Sequence, residues 1–209
     1  ECSIHPTSDL TPATLMRLWD DSDLPVHELM INKVHEHGAL AGIQLVHDGQ
    51  SVSNYLSRMP ALAPSPCPTE TAHSTQARGM DQEDIKALRR WFREAAIRSQ
   101  RAGYDIIYVY AAHGLSIFNH FLSINTNQRS DQYGGTFANR IRLLKEVLED
   151  TLDVVKGERA VALRFSVAEP GKPKGLRHDG EGRDVIEALA ELPDLWDVNI
   201  SGWPSDSLS

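Results

Sequence analysis

The chain has 209 residues, of which 41% are hydrophobic and 24% are charged. This balance is ordinary for a globular protein and excludes a disordered, collagen-like or coiled-coil chain. Lys and Arg number 21 against 29 Asp and Glu, and the net charge of −8 disfavours a nucleic-acid partner, because phosphate-backbone binders are usually basic. No run approaches the roughly 20 apolar residues of a membrane-spanning helix, so no membrane partner is predicted.

The cysteines predict the cellular location of the chain, and its two ends predict that it is part of a longer protein. Cys2 and Cys67 are far apart and form no C-x-x-C pair, which is typical neither of a disulfide framework nor of a zinc site. A reduced, cytoplasmic location is therefore predicted. The sequence starts at Glu1 without an initiator methionine and stops at Ser209 after a motif-like stretch, so we interpret it as an internal piece of a longer chain.

Short apolar runs of strand length alternate with helical patterns along the chain. The runs cover residues 40–46, 105–110, 160–165 and 195–200, and the helical patterns cover 23–37, 81–102, 137–156 and 184–192. The second helical pattern has Asp81 as a candidate N-cap, Asp84 three positions later and Gly103 beyond its end. Strands that alternate with helices predict a parallel sheet, and near-continuous apolar strands predict one that is buried on both faces.

The loops that follow the strands narrow the fold class. No strand is followed by a glycine-rich phosphate loop of the G-x-G-x-x-G or G-x-x-x-x-G-K-[ST] type, so an α/β barrel is preferred to a Rossmann or P-loop domain. Residues 48–79, which contain Pro60, Pro64, Pro66 and Pro68, are predicted to form a long excursion loop. Residues 1–209 are expected to be part of a single domain.

Polar residues stand at or just beyond the C-terminal part of each predicted strand. They are Gln44 and His47, Tyr110 and His113, Arg164, and Trp203 with Asp206. An α/β barrel builds its active site from strand ends and the loops after them, so these side chains are expected at one mouth. Taken singly, each also has a structural interpretation, as packing, as a backbone hydrogen-bond partner or as half of an ion pair. His35 and His37 form an H-x-H, but two ligands make no metal site, and no metal is predicted.

Residues 112–142 carry many motif positions at fixed spacing, in the string AHGLSIFNHFLSINTNQRSDQYGGTFANRIR. This string resembles the AHG…FLS…N-x-R-x-D-x-Y-G-G-[ST]-x-x-N-R-x-R signature of the Old Yellow Enzyme family of FMN-dependent oxidoreductases. Residues 42–47 resemble the family's third-strand motif, and Arg164 resembles the arginine of its fifth strand. The resemblance extends over essentially the whole chain, from the end of barrel strand two to just past strand six.

The fourth-strand motif narrows the resemblance to one branch of the family. Typical ene-reductases carry His-x-x-His or His-x-x-Asn there, whereas this chain has Tyr110-Ala-Ala-His113. Together with Trp203-Pro-Ser-Asp206, this motif resembles the trimethylamine, dimethylamine and histamine dehydrogenase branch. The family's proton-donating tyrosine, two residues after the histidine, is Leu115 here, which disfavours enoate reduction because a hydrocarbon cannot donate a proton.

The resemblance implies a partial (β/α)8 barrel that holds FMN in its mouth. Gln44 would bond the pyrimidine edge of the flavin, and Arg164 would lie near N1 and the C2 carbonyl, where a cation stabilises the reduced ring. The resemblance also implies a catalytic triad of Tyr110, His113 and Asp206. It further implies that Trp203 and Glu1 bind the substrate. Glu1 stands where the trimethylamine enzyme has an aromatic bowl residue, and a carboxylate favours amines that keep N–H donors.

The predicted function is oxidative N-dealkylation or deamination of a small amine, with the electrons passing to FMN. The resemblance further implies a four-iron four-sulfur cluster and ADP in the missing part of the parent chain, an electron-transfer acceptor protein and a homo-oligomer. The fragment alone, with open sheet edges, is expected to be inactive. Two alternatives stay open: an NAD(P)H-dependent ene-reductase of the same family and a non-catalytic barrel fragment.

Overall fold

A computed structural model describes residues 1–9, 16–70, 75–169 and 175–200. Its strands are β1 Cys2–Ser3, β2 Met16–Arg17, β3 Gly42–Val46, β4 Leu62–Ala63, β5 Cys67–Pro68, β6 Gln76–Gly79, β7 Ile106–Ala111, β8 Ala160–Ser166 and β9 Leu195–Asn199. Six of these strands form one sheet in the order β2-β1-β3-β7-β8-β9, and all of their pairings are parallel. The four predicted apolar runs are thus neighbours in space as well as in chain order.

Helices alternate with these strands, as the sequence pattern predicts. They are α1 Leu24–His35, α2 Gln82–Ala102, α3 Ile117–Leu122, α4 Phe137–Arg140, α5 Arg142–Val155 and α6 Glu181–Leu189. The alternation of parallel strands with helices is that of an α/β barrel, and the part of the sheet within the described ranges does not close. The predicted partial barrel is confirmed. No helix among the described residues is long and apolar enough to cross a membrane.

The ends of α2 show how local sequence sets an element. The backbone N–H of Asp84 donates to Asp81 Oδ1, and the backbone N–H of Asp81 donates to Asp84 Oδ2, each at 2.8 Å. This reciprocal capping box satisfies two of the N–H groups that a helix start leaves without an intrahelical partner. At the other end Gly103 has φ of +96°, a left-handed conformation that glycine adopts without strain. The predicted cap and stop are confirmed.

The two faces of the sheet have different surroundings. One face carries Ile43, Val109 and Leu163, which are buried in the main core with the apolar sides of the helices. Because side chains alternate along a strand, the intervening positions point to the opposite face, which is the barrel interior. A separate small cluster of Val46, Tyr110 and Ala112 lies there. The interior face is therefore where polar residues of the strands can meet.

Outside the excursion loop, the structure adds the two-residue strands β1 and β2, which are not among the predicted elements, and it differs from the predicted helices at three places. The predicted helix over residues 137–156 is two helices, α4 and α5, which meet at Ile141. The last helix begins at Glu181 instead of residue 184. Helix α3 was missed; it begins after Ser116, whose side chain accepts a hydrogen bond from the backbone N–H of Asn119. It has only six residues, which is too short for an apolar periodicity to be visible.

The segment predicted as one long loop over residues 48–79 contains its own small sheet, in the order β4-β6-β5. Val52, Ala63 and Ala77 are fully buried and form a small core of their own. Gly79 permits close packing, since a Cβ at that position would lie 2.9 Å from Pro66 Cδ. The prolines of this segment favour a loop, and strands of two to four residues are too short to give a detectable period, so the loop prediction was wrong for these strands.

Candidate active site

Three polar side chains form one row across neighbouring strands at the C-terminal end of the sheet. Tyr110 on β7 is the register partner of Arg164 on β8, and Arg164 is the register partner of Asp197 on β9. Partners in register present their side chains to the same face, and here that face is the barrel interior. The hydrogen-bond register of the sheet therefore brings a phenol, a guanidinium and a carboxylate together.

Gln44 lies on the same interior face, one row closer to the start of the strands. It is the register partner of Tyr108, which precedes Tyr110 by two residues and so shares its face. The side chain is half-buried, whereas Ile43 and Leu45 beside it are buried on the helix-covered face. Its amide forms no hydrogen bond with any residue that the structure describes. Gln44 can therefore offer both a donor and an acceptor to a molecule in the barrel.

Tyr110 and His113 are joined by a direct hydrogen bond, with the phenolic oxygen 2.6 Å from Nδ1. Tyr110 is fully buried on β7, while His113 lies in the turn after it with φ of +58°. This left-handed conformation is uncommon for a residue other than glycine. It is held by the backbone N–H of His113, which donates to Ser166 Oγ at 2.7 Å, while Ser166 Oγ donates to Asn199 Oδ1 at 2.6 Å. The ends of β8 and β9 thus position the histidine.

Glu1 lies beside the Tyr110 hydroxyl. Burial, followed by the charge of Glu1 and a side-chain hydrogen bond with Glu1, raises the pKa of Tyr110 far above its usual value, and Arg164 opposes the shift. The phenol therefore keeps its proton at neutral pH. The phenolic oxygen is hydrogen-bonded to His113 Nδ1, and the Glu1 carboxylate, which can only accept hydrogen bonds, is near enough to affect the pKa of the phenol.

The environment of His113 favours its neutral form. Burial first, and then the positive charge of Arg164, lowers the pKa of His113, while the charges of Glu1 and Asp197 raise it. A neutral imidazole keeps one ring nitrogen able to accept a proton. The site thus combines a protonated phenol with a histidine that can act as a base.

Asp48 is a charged residue near this site that the sequence analysis missed. It is 1% exposed, and the Ser8 hydroxyl donates to its Oδ2 at 2.9 Å. Burial, with a smaller contribution from the charge of Glu1, raises the pKa of Asp48 to about 7. The charge of Asp48 in turn raises the pKa of Tyr110. Asp48 directly follows His47 at the end of β3, so the rule that selected His47 was sufficient to find it.

His47 is a structural residue in a buried network. Its Nδ1 accepts the backbone N–H of Gly49 at 3.1 Å, so the ring proton is on Nε2, which lies 2.9 Å from Thr7 Oγ1. Thr7 Oγ1 is also 2.8 Å from His5 Nδ1, and the His5 ring stacks on Trp91 with centroids 3.5 Å apart. These contacts occupy both nitrogens of His47 and leave none for a ligand.

The motif in residues 112–142 holds the backbone of this region together. Arg129 donates to the carbonyls of Pro64 and Met80, and Arg140 donates to the carbonyl of Leu122 at 2.7 Å. Other side chains of the motif bond to carbonyls or carboxylates, among them Asn127 to Phe121 and Tyr133, Tyr133 to Glu146, Asn139 to Gly134, and Arg140 to Gly135 and Glu181. These residues fix the loops around the barrel mouth, and these hydrogen bonds occupy their side chains.

The structure therefore brings together part of the predicted site. Four predicted residues meet on the interior face at the C-terminal end of the sheet, namely Glu1, Tyr110, His113 and Arg164. Gln44 lies one row closer to the start of the strands. Trp203 and Asp206 lie outside the described residues. The charged residues that the prediction lacked, Asp48 and Asp197, lie next to the ones that it found.

Comparison with known proteins relates the chain to flavin-dependent oxidoreductases. The profile of the NADH:flavin oxidoreductase / NADH oxidase family matches residues 1–201. Dimethylamine dehydrogenase of Hyphomicrobium sp. (strain x) is 32% identical over 216 residues, which cover 99% of this chain and 29% of that protein. An NADPH dehydrogenase of Halalkalibacterium halodurans is 35% identical over 167 residues, which cover 80% of this chain and 47% of that protein.

Two solved structures resemble the chain closely. The 6-hydroxypseudooxynicotine amine oxidase of Pseudomonas geniculata N1 has a TM-score of 0.95 and 44% identity, over 97% of this chain and 30% of its own. Histamine dehydrogenase of Rhizobium sp. 4-9 has a TM-score of 0.92 and 45% identity, again over 97% of this chain and 30% of its own. The chain thus spans about a third of the length of these amine-oxidising relatives.

Proposed function

Because the chain belongs to the NADH:flavin oxidoreductase / NADH oxidase family, we propose that its barrel interior binds FMN and that the protein containing it oxidises a small amine. The observation that carries the proposal is the Tyr110–His113 hydrogen bond, with the Glu1 carboxylate beside the same hydroxyl. This group can bind an ammonium and remove its proton. Amine-oxidising relatives of this chain support the same reading.

The interior side chains fit an isoalloxazine ring. The Gln44 amide has no partner within the described part of the chain and matches a pyrimidine edge that carries both donors and acceptors. Arg164 Nε is buried and has no hydrogen-bond partner there, so a buried donor lacks an acceptor. Such an atom costs free energy unless it is satisfied, and an electron-rich ring edge satisfies it. FMN, when bound, would supply the acceptor for the two electrons that leave the substrate C–N bond.

The residues of this chain would prepare the amine for oxidation. A small alkylamine is protonated at neutral pH, and its lone pair is then unavailable for forming an iminium. We place the ammonium against Tyr110, with one N–H donated to the Glu1 carboxylate and another to the phenolic oxygen. Tyr110 then passes its own proton to Nδ1 of the neutral His113 ring as it takes one from the substrate. The neutral amine that remains can be oxidised, and hydrolysis of the iminium gives an aldehyde and a smaller amine.

Two further residues and two further groups are proposed to complete the site and the parent protein. Asp206 is proposed as the third member of the triad with Tyr110 and His113, and Trp203 as an aromatic wall that attracts the ammonium by cation–π interaction. A four-iron four-sulfur cluster and ADP would lie outside these 209 residues. An electron-transfer acceptor protein, a homo-oligomer and a cytoplasmic location complete the proposal.

Ene reduction with NAD(P)H is the second candidate, and the NADPH dehydrogenase relative favours it. Leu115, two residues after His113, opposes it, because this position has no proton to give to a carbon atom. A non-catalytic fragment remains the third candidate.

The test uses the full protein that contains this sequence, purified and examined without oxygen. We expect a flavin absorbance spectrum that bleaches on addition of dimethylamine and does not recover on addition of an enone. Bleaching by NADPH with recovery by an enone would instead establish the ene-reductase. A protein that purifies without flavin and cannot be reconstituted with FMN would establish the non-catalytic reading.

A further inference from the structure

Arg164 and Asp197 form an ion pair without a hydrogen bond across β8 and β9. Arg164 Nε lies 3.6 Å from Asp197 Oδ2, which is beyond the usual N–H···O range of about 2.7–3.2 Å. The Arg164 side chain is 29% exposed and the Asp197 side chain 36%, so the two charges interact partly through protein. The carboxylate thus balances the guanidinium electrostatically but leaves its buried Nε without a hydrogen-bond acceptor in the part of the chain that the structure describes.

The same two charges act on the histidine of the site with opposite signs. After burial, Arg164 is the main influence that lowers the pKa of His113, and Asp197 raises it. Among the described residues, the other charged or titratable groups that face His113 are Tyr110 from β7 and Glu1 from the segment before β1. Asp197 is therefore the counter-charge on β9 to the cation on β8.

We propose that Asp197 is a positioning residue that limits how strongly the Arg164 cation acts on the bound flavin and on His113. The part that concerns flavin rests on the proposed function. With the carboxylate present, the guanidinium is held toward β9 and its charge is partly balanced. Without the Asp197 carboxylate, the uncompensated charge of Arg164 acts on the barrel interior and on the His113 imidazole.

Two measurable changes follow from removing this carboxylate. An unbalanced cation stabilises the more electron-rich, reduced flavin, so the flavin midpoint potential becomes more positive. It also disfavours protonation of His113, so the pKa of His113 falls further. An effect of tenfold on the preference for reduced over oxidised flavin corresponds to about 30 mV for a two-electron couple.

The experiment compares Asp197→Asn with Asp197→Glu and with Glu187→Gln in the full flavoprotein. Glu187 is exposed on α6, so its variant removes the same charge away from the site. The flavin potential is measured by dye-equilibrated redox titration, and the His113 titration is followed by NMR of histidine labelled with carbon-13. We expect Asp197→Asn to raise the potential by about 30 mV and to lower the His113 midpoint, while Asp197→Glu and Glu187→Gln stay near the parent.

The outcomes separate this inference from the proposed function. A protein without flavin overturns the proposed function and the flavin half of the inference, and the His113 titration then decides the other half. A flavoprotein in which Asp197→Asn changes neither the potential nor the His113 midpoint beyond the Glu187→Gln control overturns the inference alone. If Asp197→Asn does not fold, Asp197→Ser is measured in its place, with the same expected directions.

Discussion

The Tyr110 hydroxyl and the His113 ring are 2.6 Å apart, although a buried strand holds the first and a left-handed turn holds the second. The surroundings of the pair determine which of the two groups carries the proton. Burial and Glu1 keep the proton on the phenol by raising the pKa of Tyr110, while burial and Arg164 keep the imidazole neutral by lowering the pKa of His113. A protonated phenol thus faces a neutral imidazole across this hydrogen bond.

Replacing His113 by Gln removes the proposed base but keeps a side chain that can form a hydrogen bond with Tyr110. We expect flavin reduction by dimethylamine to slow on the order of 10²-fold, the usual range for loss of a general base. The pKa of His113 is lowered from 6.5, so the parent rate should fall as pH drops through a value below 6.5. Anaerobic stopped-flow reduction between pH 5 and 10 measures both effects.

The matched control for this variant is His35→Gln. His35 lies on α1 at the other end of the sheet, where its Nε2 bonds to Asp105, and it is partly exposed. The His35→Gln variant should leave unchanged both the rate of flavin reduction and the fall of that rate at low pH. A His113→Gln protein with the parent's acid limb would show that His113 is structural.

Replacing Glu1 by Tyr exchanges a hydrogen-bond acceptor for an aromatic face. A secondary ammonium has two N–H donors and a tertiary ammonium has one, so losing a charged acceptor costs the secondary amine more. We expect the ratio of reduction efficiencies to move toward trimethylamine by about 1–2 kcal/mol, or roughly 5- to 30-fold. Glu28→Tyr, on the exposed side of α1, serves as the control. Equal ratios in all three proteins would mean that Glu1 does not contact the substrate.

Acid is expected to destabilise the protein through its buried histidines. Burial lowers the pKa of His47 to about 3 and that of His5 to about 4, from 6.5 in the unfolded chain. Between pH 6.5 and these values the unfolded state binds more protons, so the free energy of unfolding falls as pH falls. Since one pKa unit is worth about 1.4 kcal/mol, the fully buried His47 alone can cost several kcal/mol.

Urea unfolding of the protein at pH 7, 6, 5 and 4 tests this pH dependence. His47→Gln should reduce the slope of stability against pH in this window, even though it lowers stability at pH 7. His178→Gln is the control, because His178 is exposed. A slope that His47→Gln leaves unaltered would exclude His47 as the source.

Arg140 is expected to be the most stability-critical residue of the motif in residues 112–142. It is 4% exposed, and its guanidinium bonds to the carbonyls of Leu122 and Gly135 and to the carboxylate of Glu181. Arg140→Met leaves these acceptors without a donor, which should cost roughly 3 kcal/mol. Arg183→Met, on the exposed side of α6, should change stability by less than about 0.5 kcal/mol. Denaturant unfolding compares the two, and equal losses would contradict the role of Arg140.

The sequence by itself determined the elements whose signals are local. The strand at residues 106–111 and the helix from Gln82 to Ala102 follow from apolar period and from the Asp81 cap, because these depend on neighbours in the chain. The pairing of Tyr110 with His113 is similarly local, since they are three positions apart in the sequence. The resemblance of residues 112–142 pointed to the family that residues 1–201 match.

Only the tertiary structure decided which charges share the site. Arg164 meets Asp197 through strand register, Glu1 reaches Tyr110 from 109 positions away, and Asp48 becomes a titratable group near neutral pH through burial. Register depends on which face of each strand is buried against its neighbours, and burial depends on the sum of many contacts. Neither quantity is a property of a short stretch of sequence, so the pKa values and the ion pairs of this site appear only in the folded chain.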